Sequence, residues 1–283
     1  MLKILGFLIV IGSVFGGYVL SHGELLTLWQ PFELLIIGGA AFGAFMVANS
    51  FSVVKATFRE SFTVILGKHQ SKQSFMDLLT LLYELFNKSR RNGLMAVEED
   101  IEEPEQSEIF MRFPRVLQDT RLREFICDYM RIITTGNLSA FELETLMDQD
   151  IETTYQELEQ PAASLSRVAD ALPGFGIVAA VLGIVITMKS LGGPPEELGY
   201  HVAAALVGTF LGVLLAYGFV GPLSIAMEHS AREKIKALEC IKTALLANVN
   251  GIPPQLAVEF GRKTLYSEVR PGFIELEEHL RGR

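Results

Sequence analysis

Few side chains in this sequence are arranged for chemistry. Five histidines (His22, His69, His201, His229, His279) are scattered along 283 residues and form no HExxH pair, the spacing that sets two imidazoles on one helical face around zinc. Cys127 and Cys240 lie far apart in polar stretches, with no CxxC, so neither a zinc site nor a disulfide framework is predicted and both thiols read as reduced and cytoplasmic. No P-loop occurs. Gly174, Gly176 and Ala179 fit the GxGxxA pattern but sit inside an apolar run. A dinucleotide site needs a strand before that pattern, so small residues for helix packing are the better reading. No enzyme activity, cofactor or metal is expected.

The elements that must position anything functional are membrane helices. Apolar residues make up 49% of the chain at a mean hydropathy of +0.33, and the net charge of −9 argues against a nucleic-acid partner. The apolar residues cluster in four blocks: Ile4 to Leu20, Leu34 to Ala48 with Glu33 at its start, Ala171 to Met188, and Val202 to Met227. Each approaches the ~20 residues that cross a bilayer as helix. Block one has no Ala-x-Ala cleavage site after it, so it reads as a span and not a signal peptide. The 21–31 connector holds no Lys or Arg, and the 189–201 connector only Lys189. The remainder, apart from Lys3, lies in 51–170 and in the tail. Positive-inside counting therefore places both termini and the 51–170 segment in the cytoplasm. The expected architecture is an all-α integral membrane protein. Spans one and two occupy 1–50, a helical cytoplasmic domain 51–170, spans three and four 171–227, and a cytoplasmic C-terminal region 228–283.

Within the cytoplasmic segment, Phe75, Leu78, Leu79, Leu82, Leu85 and Phe86 trace one helical face that stops at Asn92-Gly93. A short helix over Leu94–Glu103 ends at Pro104. Further helices are predicted over roughly Leu117–Thr134 and Ser139–Glu159, the latter opened by a Ser139/Glu142 capping box.

Spans three and four contain no Asp, Glu, Lys, Arg or His in their interiors; among their polar side chains are Thr187, Thr209 and Tyr217. Ion carriage through a membrane calls for a charged or titratable group. The chain therefore conducts nothing, or a partner helix supplies the carboxylate. Thr209 either faces such a helix or back-bonds to the carbonyl one turn earlier. Gly12/Gly16, Gly39/Gly43, Ala179/Gly183 and Gly208/Gly212 are small pairs at spacing four, suited to close packing within one subunit or between copies. Pro173 is expected at the start of span three, where proline is tolerated, and Pro222 inside span four, where it bends the helix. Arg90 and Arg91, followed by Glu98, Glu99, Glu102, Glu103 and Glu105, form either a solvated face or a surface for a charged partner.

Several stretches together resemble the MotA family of flagellar motor stator subunits over essentially the whole chain. They are Gly16-Gly17-Tyr18, Lys88-Ser89-Arg90 with Glu98 and Asp100-Ile101-Glu102, the run from Leu172 to Ala180, Val207 to Gly212, Ala216-Tyr217-Gly218, Glu259 to Lys263, and Arg270 to Glu277. The resemblance implies a ring of five copies in the bacterial inner membrane around two helices of a MotB-like, peptidoglycan-anchored subunit. That subunit supplies the proton-binding aspartate, and the cytoplasmic segment pushes the rotor protein FliG. By this resemblance Arg90 and Glu98 contact the rotor, Pro173 and Pro222 couple ion passage to movement, and Thr209 lines the channel. Ala180 also lines the channel, at a position where sodium-driven relatives carry threonine, which implies protons. Gln149 and Asp150 depart from the family's acidic pattern. Two alternatives stand beside this reading: an ExbB/TolQ-type energising subunit, a class that usually has three spans, and a structural membrane scaffold without ion flux.

Overall fold

The computed structural model describes residues 2–67, 71–189 and 195–282, which are helical with no strand among them. His69 and most of the connector after Lys189 fall outside the described residues. The helices gather into two compact units, one formed by Met1–Lys68 with Glu157–Ser230, the other by His69–Gln156 with Ala231–Arg283. These units cut the chain elsewhere than hydropathy does. Residues just past span two stay with the first unit because Val64 packs with Ala162 and Met227, and because Ser164 Oγ donates to Asn49 Oδ1 at 2.7 Å.

The first unit contains α1 (Leu2–Leu20), α2 (Leu25–Leu28), α3 (Pro31–Ala48), α4 (Phe51–Ile65), the later part of α10 (Ala140–Lys189), α11 (Pro195–Leu214), a π-helical stretch (Leu215–Val220) and the start of α12 (Gly221–Val249). Four stretches of the described residues are long and apolar enough to cross a bilayer: Leu2–Leu20, Leu25–Ala48, and parts of Ala140–Met188 and Gly199–Val249. Helix α1 buries none of its residues in the subunit, although it is apolar all round. It is held by rings: Phe7 stacks on Phe219 with centroids 5.5 Å apart, and Phe15 meets Phe210 edge-on at 6.4 Å.

Glycine governs the contact between spans three and four. A Cβ on Gly212 would lie 2.7 Å from the Leu172 carbonyl and 2.9 Å from Gly176 Cα, and one on Gly176 would lie 3.0 Å from the Gly208 carbonyl. Gly183 meets Ala205 in the same way at 3.0 Å. The pairs at Ala179/Gly183 and Gly208/Gly212 therefore pack inside one subunit. Gly12, Gly16, Gly39 and Gly43 have nothing within 4 Å of an added Cβ, so those pairs face outward.

The expected helix end at Glu159 and helix start at Pro173 are corrected. Pro173 does not begin a helix: α10 runs unbroken for 50 residues with Pro161 and Pro173 inside it. The stretch between Glu159 and Ala171 is rich in alanine and offers no glycine stop, so the helix continues and each proline simply leaves the carbonyl four residues back without its amide. At the other proline the ladder changes register. The π-helical stretch ends at Val220, directly before Gly221-Pro222, and Gly221 sits so close to the Ala216 carbonyl that a Cβ would approach to 2.9 Å. A π turn absorbs the bond that Pro222 cannot make.

The second unit contains α5 (Lys72–Asn92), a 3₁₀ turn (Leu94–Val97), α6 (Glu98–Glu102), α7 (Glu108–Met111), α8 (Pro114–Gln118), α9 (Thr120–Thr135), the start of α10, the rest of α12, α13 (Pro254–Thr264) and α14 (Phe273–Arg281). The apolar face expected on α5 is its core: Phe75, Leu78, Leu79, Leu82, Leu85 and Phe86 are buried, and Gly93 ends the helix with φ +89°. The box that opens α10 is formed, with Ser139 N donating to Glu142 Oε2 at 2.8 Å and Glu142 N to Ser139 Oγ at 3.3 Å.

Gly212→Ala is expected to lower the thermal unfolding midpoint of the detergent-solubilised protein, because two backbones must separate, an overpacking cost of about 1–3 kcal/mol. Gly39→Ala is expected to leave it unchanged; an equal drop would show that its face is covered. A second expectation concerns pH. The Lys72 ammonium and then the Gly272 amide hold the Glu275 carboxyl below its ordinary value of 4.5. The share of the α14–α5 contact that this ion pair supplies is therefore complete above 4.5 and is lost as pH falls through the lower folded value, while the buried Leu276 and Leu280 remain, and a modest rise in hydrogen exchange at the first α14 amides would register it.

Candidate functional site in the span three and span four seam

The membrane unit positions its polar groups through the glycine seam. The seam leaves Thr209 and Ala180 half-buried, one on each side. Thr187, the other hydroxyl in span three, is buried and donates to the Gly183 carbonyl at 2.8 Å. No such back-bond forms at Thr209 among the described residues, so its hydroxyl is uncommitted within the subunit. A Cβ on Gly208 would lie 3.4 Å from the Ala180 amide nitrogen, so Thr209 and Ala180 belong to neighbouring positions of one contact. Pro173 is half-buried on the same stretch of α10, whereas Pro222 and Tyr217 are exposed around the π turn.

One group in this seam was not recognised in the sequence as functional. Glu33, read there as the start of block two, is buried at 8% exposure, and its Oε2 has no hydrogen-bond partner. It reaches the Gly208 position, where an added Cβ would lie 3.1 Å from Oε2. The available signal was a lone carboxylate three residues after Gln30 at the head of an apolar helix, which also reads as a capping residue.

The charges of the second unit divide into structural and free. Asp100 is buried and accepts from Lys88 Nζ and Ser107 Oγ, each at 2.6 Å. Ser107 in turn caps α7 by accepting from the Ile109 and Phe110 amides. Arg131 grips Glu102, with Nε–Oε1 at 2.5 Å and Nη2–Oε2 at 3.2 Å, and this bond raises the guanidinium's pKa further. Glu105 faces Arg123 at 3.5 Å. These bonds tie α6 to α5 and α9. They leave Arg90 and Arg91 in the last turn of α5, and Glu98, Glu99 and Glu103 around α6, exposed with no ion pair among the described residues. The acidic run is thus part scaffold and part open surface. Cys127 is buried beside this network, and burial pushes its thiol up to about 12, so it is inert at neutral pH. No cluster of metal-ligating side chains occurs among the described residues.

A multi-pass helical bundle with a glycine-tight pair of acid-free spans, and a separate helical unit bearing unpaired charge, has the form of an ion-driven motor subunit. Residues 4–93 match the family described as Motility protein A N-terminal, and residues 118–240 match the MotA/TolQ/ExbB proton channel family. The chain is 52% identical over 282 residues to Motility protein A of Salmonella typhimurium and 50% identical over 282 to that of Escherichia coli K12, covering 100% of this chain and 96% of each relative. It is 42% identical to the chemotaxis protein LafT of Vibrio parahaemolyticus, over 99% of this chain and 98% of that one. The fold is that of C. jejuni MotAB (TM-score 0.77, 21% identity, 94% and 96% of the two chains) and of the Bacillus subtilis flagellar MotAB stator complex (0.73, 21%, 99% and 98%). The chain therefore belongs to the Motility protein A branch of the MotA/TolQ/ExbB proton channel family.

Asp100→Ala is expected to destabilise the segment between the 3₁₀ turn and α7 by about 1–3 kcal/mol, since Lys88 and Ser107 both lose a partner. Protease cleavage within 94–111 should accelerate in the variant; an unchanged pattern would mean that the apolar contacts of Val97 and Ile101 suffice.

Proposed function

We propose that this chain is the ion-conducting and torque-generating subunit of a flagellar motor stator in the bacterial inner membrane, with both termini in the cytoplasm. Copies of it form a ring around the transmembrane helices of a MotB-type subunit. The carrying observation is the seam. Spans three and four present a hydroxyl at Thr209 with no internal bond and a methyl at Ala180, and no carboxylate of their own. In this reading the ion-binding acid of the channel comes from a partner helix beside them, as in stators built with a MotB-type subunit. The outward-facing glycines of α1 and α3, and an apolar α1 with nothing buried, supply surface for neighbouring copies or lipid.

Work per ion is sufficient. One charge crossing the membrane yields about 2.3 kcal/mol per 100 mV, enough to bias a packed two-state interface. Pro173 and the π turn before Pro222 are the places in the two spans where the backbone ladder is already interrupted, and bending there is the coupling step of this reading. The exposed Arg90 and Glu98 are the rotor-facing charges, and FliG is the partner they address. An ExbB/TolQ-type role is disfavoured by the four candidate spans and by the match of 4–93 to the Motility protein A N-terminal family.

The test is swimming speed against a protonophore and against external sodium. Proton drive predicts arrest by the protonophore and indifference to sodium; sodium dependence would reassign the ion, and flagella failing to assemble in the deletion strain would favour a scaffold. Arg90→Glu and Glu98→Lys are each expected to reduce torque several-fold in a tethered-cell assay with membrane levels unchanged, both residues being exposed.

A further inference from the structure

The structure gives this chain an acid of its own at the seam, and we propose that Glu33 is a relay carboxyl that takes protons from the outer side and hands them to water beside Thr209. The inference rests on the channel reading above and adds a group that the reading lacks.

Glu33 occupies the third position of α3, after Gln30 at the cap and Pro31 in the first turn. From there a glutamate ordinarily reaches back to the cap amide. Here that amide donates to the Leu28 carbonyl at 3.1 Å, and the carboxyl is turned into the bundle instead. It is buried with Oε2 unpaired. A buried acceptor without a partner costs about 1–3 kcal/mol, more when charged. Burying an acid that has no structural bond to make is costly for a merely scaffolding residue.

The place it reaches is specific. Gly208 is where Glu33 Oε2, the Ala179 methyl and the Ala180 amide nitrogen converge, at 3.1, 3.2 and 3.4 Å from the position of an added Cβ. The residue after Gly208 is Thr209. Any side chain at 208 would fill the space between the carboxyl and the face carrying Thr209 and Ala180, so glycine keeps that space open.

The charged surroundings allow the group to change state. Helix α10 has no ionisable side chain between Ala171 and Met188, and α2 has none, with Glu24 just before it. Helix α11 brings Tyr200 and His201, about two turns before Gly208. On α4, next along the chain, Lys55, Arg59 and Glu60 lie beyond the opposite end of α3. Among the described residues of these elements no fixed cation locks the carboxylate. The step balances simply. The carboxylate accepts H⁺ from hydronium at the outer mouth, leaving water. The resulting acid then releases H⁺ to a water on the Thr209 side and returns to carboxylate.

The experiment uses intact motors, with Glu33→Gln and Glu33→Asp compared with wild type at equal membrane levels, and rotation followed at low and high load from about pH 6 to about pH 8.5 outside. A carboxylate matters most where protons are scarce. Glu33→Gln is expected to lose speed several-fold at low load and high external pH, little at low pH, and little at stall, and Glu33→Asp is expected to recover part of the loss. A wild-type pH profile in Glu33→Gln, or an equal loss at every pH and load, would overturn the relay. Wild-type rotation that ignores both a protonophore and external sodium would instead overturn the channel reading itself, and rotation that follows sodium would reassign the ion and overturn the proton relay with it, so the failures are distinguishable.

Discussion

The contact on which the membrane unit depends is the approach of two backbones, at Gly176 on α10 and at Gly208 and Gly212 on α11. In hydrocarbon no hydrophobic force draws helices together, so van der Waals contact must do it, and contact is greatest where there is no side chain. The consequence is chemical as well as mechanical. Gly176 and Gly212 bring α10 and α11 together, and Gly208 leaves room for the one buried carboxylate of α3. One set of glycines thus serves close packing and polar access at once.

The two interruptions in the helical ladder lie at one end of this seam, one on each helix, where Gly212 meets Leu172 and Gly221 meets Ala169. Pro173 stands in the same turn as Gly176, and the π turn before Pro222 follows Gly212 within two turns. A helix pair held by backbone contact cannot slide freely, but it can bend where a hydrogen bond is already missing. Close packing and local ladder loss are complementary: the first keeps the pair in register and the second gives it somewhere to yield.

In the other unit the organising interaction is the buried Asp100. It binds Lys88 and Ser107 and so fixes α6 on α5 and α7. Glu102 and Glu105 add external ties to α9 and its neighbouring loop. The charges left over, Arg90 and Arg91 on one helix and Glu98 and Glu99 on another, are displayed by a scaffold that does not use them. A charge with no internal role on a rigid support is well placed to act on something outside.

Much of this was legible in the sequence. Bilayer-length apolar blocks are unambiguous because water and hydrocarbon sort residues so strongly, and the α5 face from Phe75 to Phe86 and the Ser139 box follow from helical period and local hydrogen bonding. The absence of acid in spans three and four was equally plain. Whether α10 stops before Pro173 was not legible, since proline both begins helices and sits within them, and the choice is made by what packs around it. Which glycine pairs face inward, and that Glu33 turns into the bundle instead of capping its helix, were decided only by the tertiary structure. Spacing says which residues share a face, but the facing partner, which determines whether a small residue is a contact or a carboxylate is buried, comes from elsewhere in the chain.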